Sequence, residues 1–247
     1  MFLKLLSFEA AFQIRQRAFW MFSLLLTFFG FMLMAKGNLA DGLLINSNYR
    51  LHFNVGISSL GAVFVTMFLA ISGAIRDKQH NMEGLIYTTS IAKKQFFWSR
   101  FIGVFFFSLL SMTMLIIGLA LGTLYSEINP ENLATFSLLS YAESWLFFLI
   151  PNVFMVSSLL FSISLLNKST TVTYVGAVMI YVIYMLTSTL SNSPLMAQST
   201  SVSAESLAIA ALGDPFGLAA FFEHTNYWTL FQKNNEILKL SGLFLWN

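Results

Sequence analysis

The chain has 247 residues, 57% of them hydrophobic and only 10% charged, with a net charge of +2 and a mean hydropathy of +0.72. Soluble domains carry about 25% charged residues, so this composition excludes a soluble globular or disordered chain and predicts an all-α integral membrane protein. The absence of cysteine excludes disulfides, thiolate nucleophiles and thiolate-held metals.

Residues 1–17 are predicted to form an amphipathic helix in the membrane interface. Met1, Leu5, Phe8 and Phe12 share one face, while Lys4, Glu9, Gln13, Gln16 and Arg17 occupy the remainder and stay wet. No small-x-small cleavage site follows, so this is not read as a signal peptide. Residues 18–35 carry no charge and form the first span, close to the minimum needed for about 30 Å of hydrocarbon. Residues 36–53 are predicted as a polar loop. Residues 54–75 form the second span, with Ser58, Ala62, Thr66, Ala70 and Ala74 recurring every fourth position. Such a stripe of small side chains lets a second helix approach closely, whether from this chain or from another subunit.

The stretch 76–100, RDKQHNMEGLIYTTSIAKKQFFWSR, then interrupts the apolar pattern with five basic residues, Arg76, Lys78, Lys93, Lys94 and Arg100. Met82, Leu85, Ile86 and Thr89 fall on one helical stripe, and Ser90 is placed to cap a helix running into the third span. Residues 101–123 form that span, with Gly118 and Gly122 spaced for close packing. Residues 144–166 form the fourth, in which Pro151 removes a backbone donor and is expected to kink the helix. Residues 172–190 form the fifth. Residues 191–240 mix polar and apolar character around the turn Gly213-Asp214-Pro215-Phe216-Gly217 and are assigned to the extracytoplasmic surface. Residues 241–247, SGLFLWN, look like the start of a truncated sixth span.

Lys4, Arg15, Arg17, Arg76, Lys78, Lys93, Lys94, Arg100 and Lys168 lie on one side of this topology, against Lys36, Arg50, Lys233 and Lys239 on the other. Positive charge collects on the cytoplasmic side, which places the N-terminus and the 76–100 loop inside. The spans as drawn hold no Asp, Glu, Lys, Arg or His, which argues against a proton- or ion-coupled carrier. Lys168-Ser169 follows Asn167 rather than a glycine-rich turn, so the chain has no P-loop of its own. HExxH is absent, and His52, His80 and His224 are read as ordinary loop residues rather than catalytic bases. The chain is therefore not expected to be an enzyme, and energy must enter from outside the membrane region.

Phe8-Glu9 followed by QIRQRAFW resembles the elbow helix of ABC type-2 exporter permeases. Arg76-Asp77, then Glu83-Gly84-Leu85-Ile86-Tyr87-Thr88-Thr89-Ser90, then Lys94 and SRFIG, resembles the coupling-helix loop of that family and the entry to its third span. Many members carry Pro after the loop's Thr/Ser; this chain has Ile91. The DPFG turn and the later YWT and SGLFLWN resemble a bacterial subgroup, some of whose members continue into a zinc aminopeptidase-like domain. The resemblance implies a permease half that dimerises with an identical or related half in the bacterial inner membrane. A separate ABC ATPase subunit would hold ATP and magnesium, so no cofactor is expected in this chain. It implies Asp77, Glu83, Leu85, Tyr87 and Thr88 as ATPase contacts, with Lys93, Lys94 and Arg100 held against anionic headgroups. Nucleic acid is not an expected partner. The alternative is a non-transporting membrane anchor or assembly protein.

Overall fold

The computed structural model describes residues 2–37, 42–82, 84, 88, 92–125, 127–190 and 204–238. Helix α1 spans Phe2–Ile14 and α2 Arg17–Ala35; α3 (Asn48–Ser59) and α4 (Ala62–Ala74) follow, then the short α5 (Arg76–Gln79) and the long α6 (Lys93–Gly122). A 3₁₀ turn at Pro130–Asn132 precedes α7 (Leu138–Ser144), which continues through a π turn at Trp145–Leu149 into α8 (Ile150–Asn167). Helices α9 (Thr170–Leu190), α10 (Ala204–Gly213), α11 (Leu218–Thr225) and α12 (Leu230–Asn235) follow. No strand occurs among the described residues.

Among the described residues, four helical stretches are long and apolar enough to cross a membrane: Arg17–Ala35, Lys93–Gly122, Leu138–Asn167 and Thr170–Thr189. The α3–α4 pair makes a fifth if its two halves, bent by 43°, count as one span. The outward faces of α2 and α9 are apolar and exposed, with Leu24, Leu25 and Phe28 on one and Val175, Val178, Ile183 and Leu186 on the other. A monomeric soluble protein rarely leaves so much contiguous apolar surface open.

The core forms where α4, α6 and α8 meet, around Val63, Leu69, Val104, Met112, Val153, Val156 and Phe161. Helix α2 lies along α6 over most of its length. Their seam is made of small groups: a Cβ at Gly118 would run into the Thr27 carbonyl, one at Gly122 into the Phe31 carbonyl, and one at Gly30 into the Leu115 carbonyl. Ser23 donates to Ser111 across the same seam at 3.2 Å. Gly118 and Gly122 are thus packing residues against α2, inside one chain. The middle of the Ser58–Ala74 stripe also packs within the chain. Ala62, Thr66 and Ala70 are buried, and α4 packs on α6 and α8.

Three sequence-based expectations are corrected. The second span is not one straight helix from residue 54. It starts at Asn48 and breaks at Leu60–Gly61, where Leu60 and Gly61 donate to Ile57 and Ser58 three residues back and the α-helical ladder tightens locally. Arg50 and His52 are therefore not loop residues; both are buried on α3. Helix α1 also turns its polar stripe inward. Glu9 and Gln13 are buried while Leu3, Phe8 and Ile14 are exposed, because α1 docks on α6 rather than lying free in an interface.

At Pro151 the helical ladder is altered rather than broken, and Leu138–Asn167 runs as one stretch of membrane-spanning length. Proline cannot donate to the preceding turn, and the chain answers with a π turn in which Ile150 N–H reaches back five residues to Trp145. The 241–247 stretch and residues 191–203 lie outside the described residues.

Gly118→Leu is expected to separate α2 from α6 and lower stability by about 1–3 kcal/mol or more, since overpacking against backbone cannot be relieved by a rotamer change. Gly213→Ala, with no atom within 4 Å of the added methyl, is expected to be near neutral. Thermal unfolding of both variants in detergent checks this.

Candidate functional site

At one end of the bundle four charged side chains meet. Arg76 forks onto Glu9, with Nη2–Oε1 at 2.6 Å and Nη1–Oε2 at 3.3 Å. Arg100 donates through Nη2 to Asp77 Oδ1 at 2.7 Å, and its Nε lies 3.5 Å from Glu9 Oε1. The Arg76 guanidinium stacks on the Phe12 ring at 4.1 Å and the Arg100 guanidinium on Phe96 at 4.1 Å. Side-chain exposure is 4% for Glu9 and Arg100, 12% for Arg76 and 14% for Asp77. Two carboxylates and two guanidiniums therefore cancel in a largely dry pocket, where forked Arg–carboxylate geometry and aromatic faces replace water.

The cluster draws its members from different elements. Glu9 comes from the middle of α1, Arg76 and Asp77 from the start of α5, and Arg100 from the second turn of α6. Local sequence explains the convergence. Helix α4 ends at Ala74, so Arg76 and Asp77 emerge together at its tip. Gly103, one turn beyond Arg100, has no side chain, and a Cβ there would sit 3.3 Å from Glu9 Cβ. That close approach brings α1 onto α6. The rest of α5 reaches the other way: Lys78 Nζ donates to the Lys168 carbonyl at 3.2 Å and Gln79 Nε2 to Thr170 Oγ1 at 3.1 Å. Residues Arg76–Gln79 thus tie α1, α6 and the α8–α9 turn together.

Of the residues assigned to ATPase contact, Asp77 is turned into this cluster, Thr88 is exposed, and Glu83, Leu85 and Tyr87 lie outside the described residues. Lys93 and Lys94 are exposed at the start of α6, as a headgroup role requires, but Arg100 is not; it is buried and engaged by Asp77. Sequence reasoning treated Glu9 as a wet residue. The signal that could have corrected this is the i, i+4 pair Glu9 and Gln13, a polar stripe in the C-terminal half of α1, where the residues around it, Phe8 to Ile14, are apolar.

A second polar cluster lies where the helices break. Asn152, next to Pro151, donates through Nδ2 to Ser59 Oγ at 2.8 Å and to the Phe216 carbonyl at 3.1 Å. Ser59 in turn donates to the Gly56 carbonyl at 2.6 Å, just before the α3–α4 bend. Asp214 accepts from Phe216 N–H at 2.9 Å and from Ala219 N–H at 2.6 Å, closing the turn that Gly217, at φ +73°, makes into α11. Burial pushes the Asp214 carboxyl up, and the backbone donors of Ala219 and Phe216 pull it part of the way back. The Phe216 ring meets Tyr184 of α9 edge-on at 4.8 Å. Beside the bend an apolar cleft of about 520 Å³ opens between α2, the α3–α4 break and α9, lined by Phe22, Phe29, Ser58, Phe64, Tyr181 and Met185.

No group of three or more metal-binding side chains occurs among the described residues. Searches against protein-family models, curated proteins and solved structures find no match to this chain.

Removing one member of the charged cluster leaves an opposite charge buried without its partner, which costs about 3–5 kcal/mol. Glu9→Gln and Arg76→Gln are each expected to destabilise on that scale. The double variant is expected to lose clearly less than the sum, because it removes both charges. Denaturant unfolding in micelles, read as a double-mutant cycle, measures the coupling.

Proposed function

We propose that this chain is the membrane-spanning half of an ATP-driven exporter of the ABC type-2 kind, which receives force from a separate ATPase through the 76–100 segment. The observation that carries the proposal is the attachment of Arg76–Gln79. A short segment at the tip of the bent α3–α4 pair is bonded to α1, to α6 and to the α8–α9 turn at once. A push on the segment following α5 would reach three other parts of the bundle through those contacts. It would reach the α3–α4 bend directly, because α5 continues from α4 after a single residue.

In this account Asp77 acts through Arg100 as a positioning residue, and the contact with the ATPase falls to Glu83, Leu85, Tyr87 and Thr88. Lys93 and Lys94 face anionic headgroups. The irregular backbone at Leu60–Gly61, Trp145–Leu149 and Asp214–Gly217 supplies the places where the spans can change packing. The functional unit is a dimer of halves in the bacterial inner membrane, with the N-terminus and the 76–100 segment in the cytoplasm. The nine basic residues clustered on that side support this orientation.

Co-expression with a candidate ABC ATPase subunit tests the assignment. The expected outcome is co-purification and ATP hydrolysis by the complex, abolished by Glu83→Ala with Leu85→Ala and retained in Lys94→Ala. A chain that binds no ATPase, or binds it equally well after the Glu83 and Leu85 substitutions, is an anchor or assembly protein instead.

A further inference from the structure

At the end of the bundle away from the charged cluster, His52 and Glu143 face each other. His52 lies on α3 and is 1% exposed; Glu143 is on α7. His52 Nδ1 sits 2.5 Å from the Asn48 carbonyl oxygen. A carbonyl only accepts, so Nδ1 carries the hydrogen and the neutral ring presents a bare lone pair at Nε2. That nitrogen lies 4.0 Å from Glu143 Oε2. Both atoms are buried and neither has a hydrogen-bond partner. Two acceptors therefore oppose one another with no donor between them, and neither is open to a water molecule.

No neighbouring donor is bonded to either atom, although Arg50 Nε and Asn54 Nδ2 on α3 are also buried without a partner. Arg50, the nearest cation on α3, donates to the Leu33 and Gly37 carbonyls at the end of α2. Tyr141 on α7 is buried with its hydroxyl unpartnered. The π turn contributes the neutral Phe148 ring, edge-on to His52 at 6.2 Å. On α11, His224 meets Trp228 edge-on, with Glu223 beside it; on α12, Lys233 lies over the Tyr49 ring at 4.9 Å. Charged residues on α6 lie at its opposite end. Glu143 also lines a polar cleft of about 420 Å³ with Asn46, Asn48, Ser137, Ser140 and Asn234, and it is the only titratable residue among the described residues that line it. The cleft brings solvent to the partly exposed Glu143 side chain, although Oε2 itself is buried.

We propose that His52 and Glu143 form a proton-binding site at this end of the bundle, in which one proton shared by imidazole Nε2 and carboxylate Oε2 holds α3 against α7. A proton arriving from the cleft adds to the Nε2 lone pair, or to the carboxylate, and no other bond changes. With the proton bound, the two atoms close from 4.0 Å to hydrogen-bond distance, the acceptor–acceptor repulsion becomes a charge-assisted hydrogen bond, and the two groups titrate as a unit. The inference does not depend on the exporter assignment.

The chain has three histidines, so ring-labelled protein in nanodiscs gives a resolvable NMR titration, with His52→Gln identifying the His52 signal. The expected result is that Glu143→Gln moves the His52 midpoint down by at least about one pH unit, a tenfold loss of proton affinity. His80 and His224 should keep their midpoints. An unmoved His52 midpoint overturns the proposal. If Glu143→Gln does not fold, ¹⁵N spectra of the wild-type protein decide the matter. Nε2 carrying a proton or a strong hydrogen bond at neutral pH supports the site, and a free Nε2 lone pair with an ionised Glu143 contradicts it.

Discussion

The structure depends on a neutralised charge cluster at the base of its bent helix pair. Glu9, Arg76, Asp77 and Arg100 could not be buried singly, because each would leave an unpaired ion in a dry site. Together they are tolerated, and the condition for burying them is that α1, α5 and α6 hold fixed relative positions. A buried ion network is weak evidence of net stabilisation. Its consequence here is geometric. It converts an N-terminal helix, which by composition could float in the interface, into part of the bundle, and it clamps the segment that follows α4.

Irregular backbone is costly in hydrocarbon, where no water satisfies an unpaired group. This chain gathers its irregularities in one place and satisfies them with each other. The break at Leu60–Gly61, the π turn before Pro151 and the Asp214–Gly217 turn all converge on Asn152, whose amide spans Ser59 and the Phe216 carbonyl. Asp214 then holds the N–H groups that open α11. The polar hub and the charged cluster lie at the two ends of α4, so a displacement entering at Arg76 meets the α3–α4 bend at the other end of a single rigid helix.

Much of this was legible in the sequence. Apolar run length located α2 and α9 closely, whereas α3, α6 and α7 begin six to eight residues ahead of the apolar runs; Gly118 and Gly122 lie at the α2–α6 seam. Pro151 and the DPFG turn announced two of the three irregular sites. The polarity of α1 was misjudged because an amphipathic pattern says which residues share a face, not whether water or a guanidinium covers it. Glu9 reads as solvated until Arg76 and Arg100, more than 60 residues away in the chain, are brought beside it. Arg50 and His52 were assigned to a loop because hydropathy ends a span at the first charged residue. A helix can carry such groups inward when carbonyls at a neighbouring helix end, as at Leu33 and Gly37, accept from them. The residues most directly tied to the proposed ATPase contact, Glu83, Leu85 and Tyr87, rest on resemblance and not on geometry.

The central claim is that the charged cluster fixes α1 to the base of α6. The chain has no cysteine, so spin labels at Ser7→Cys and Gln95→Cys, both exposed positions, report only on these two helices. Double electron–electron resonance in nanodiscs should give one narrow distance distribution, and adding Glu9→Gln should broaden it. A broad distribution in the parent protein, or an identical one after Glu9→Gln, would contradict the account.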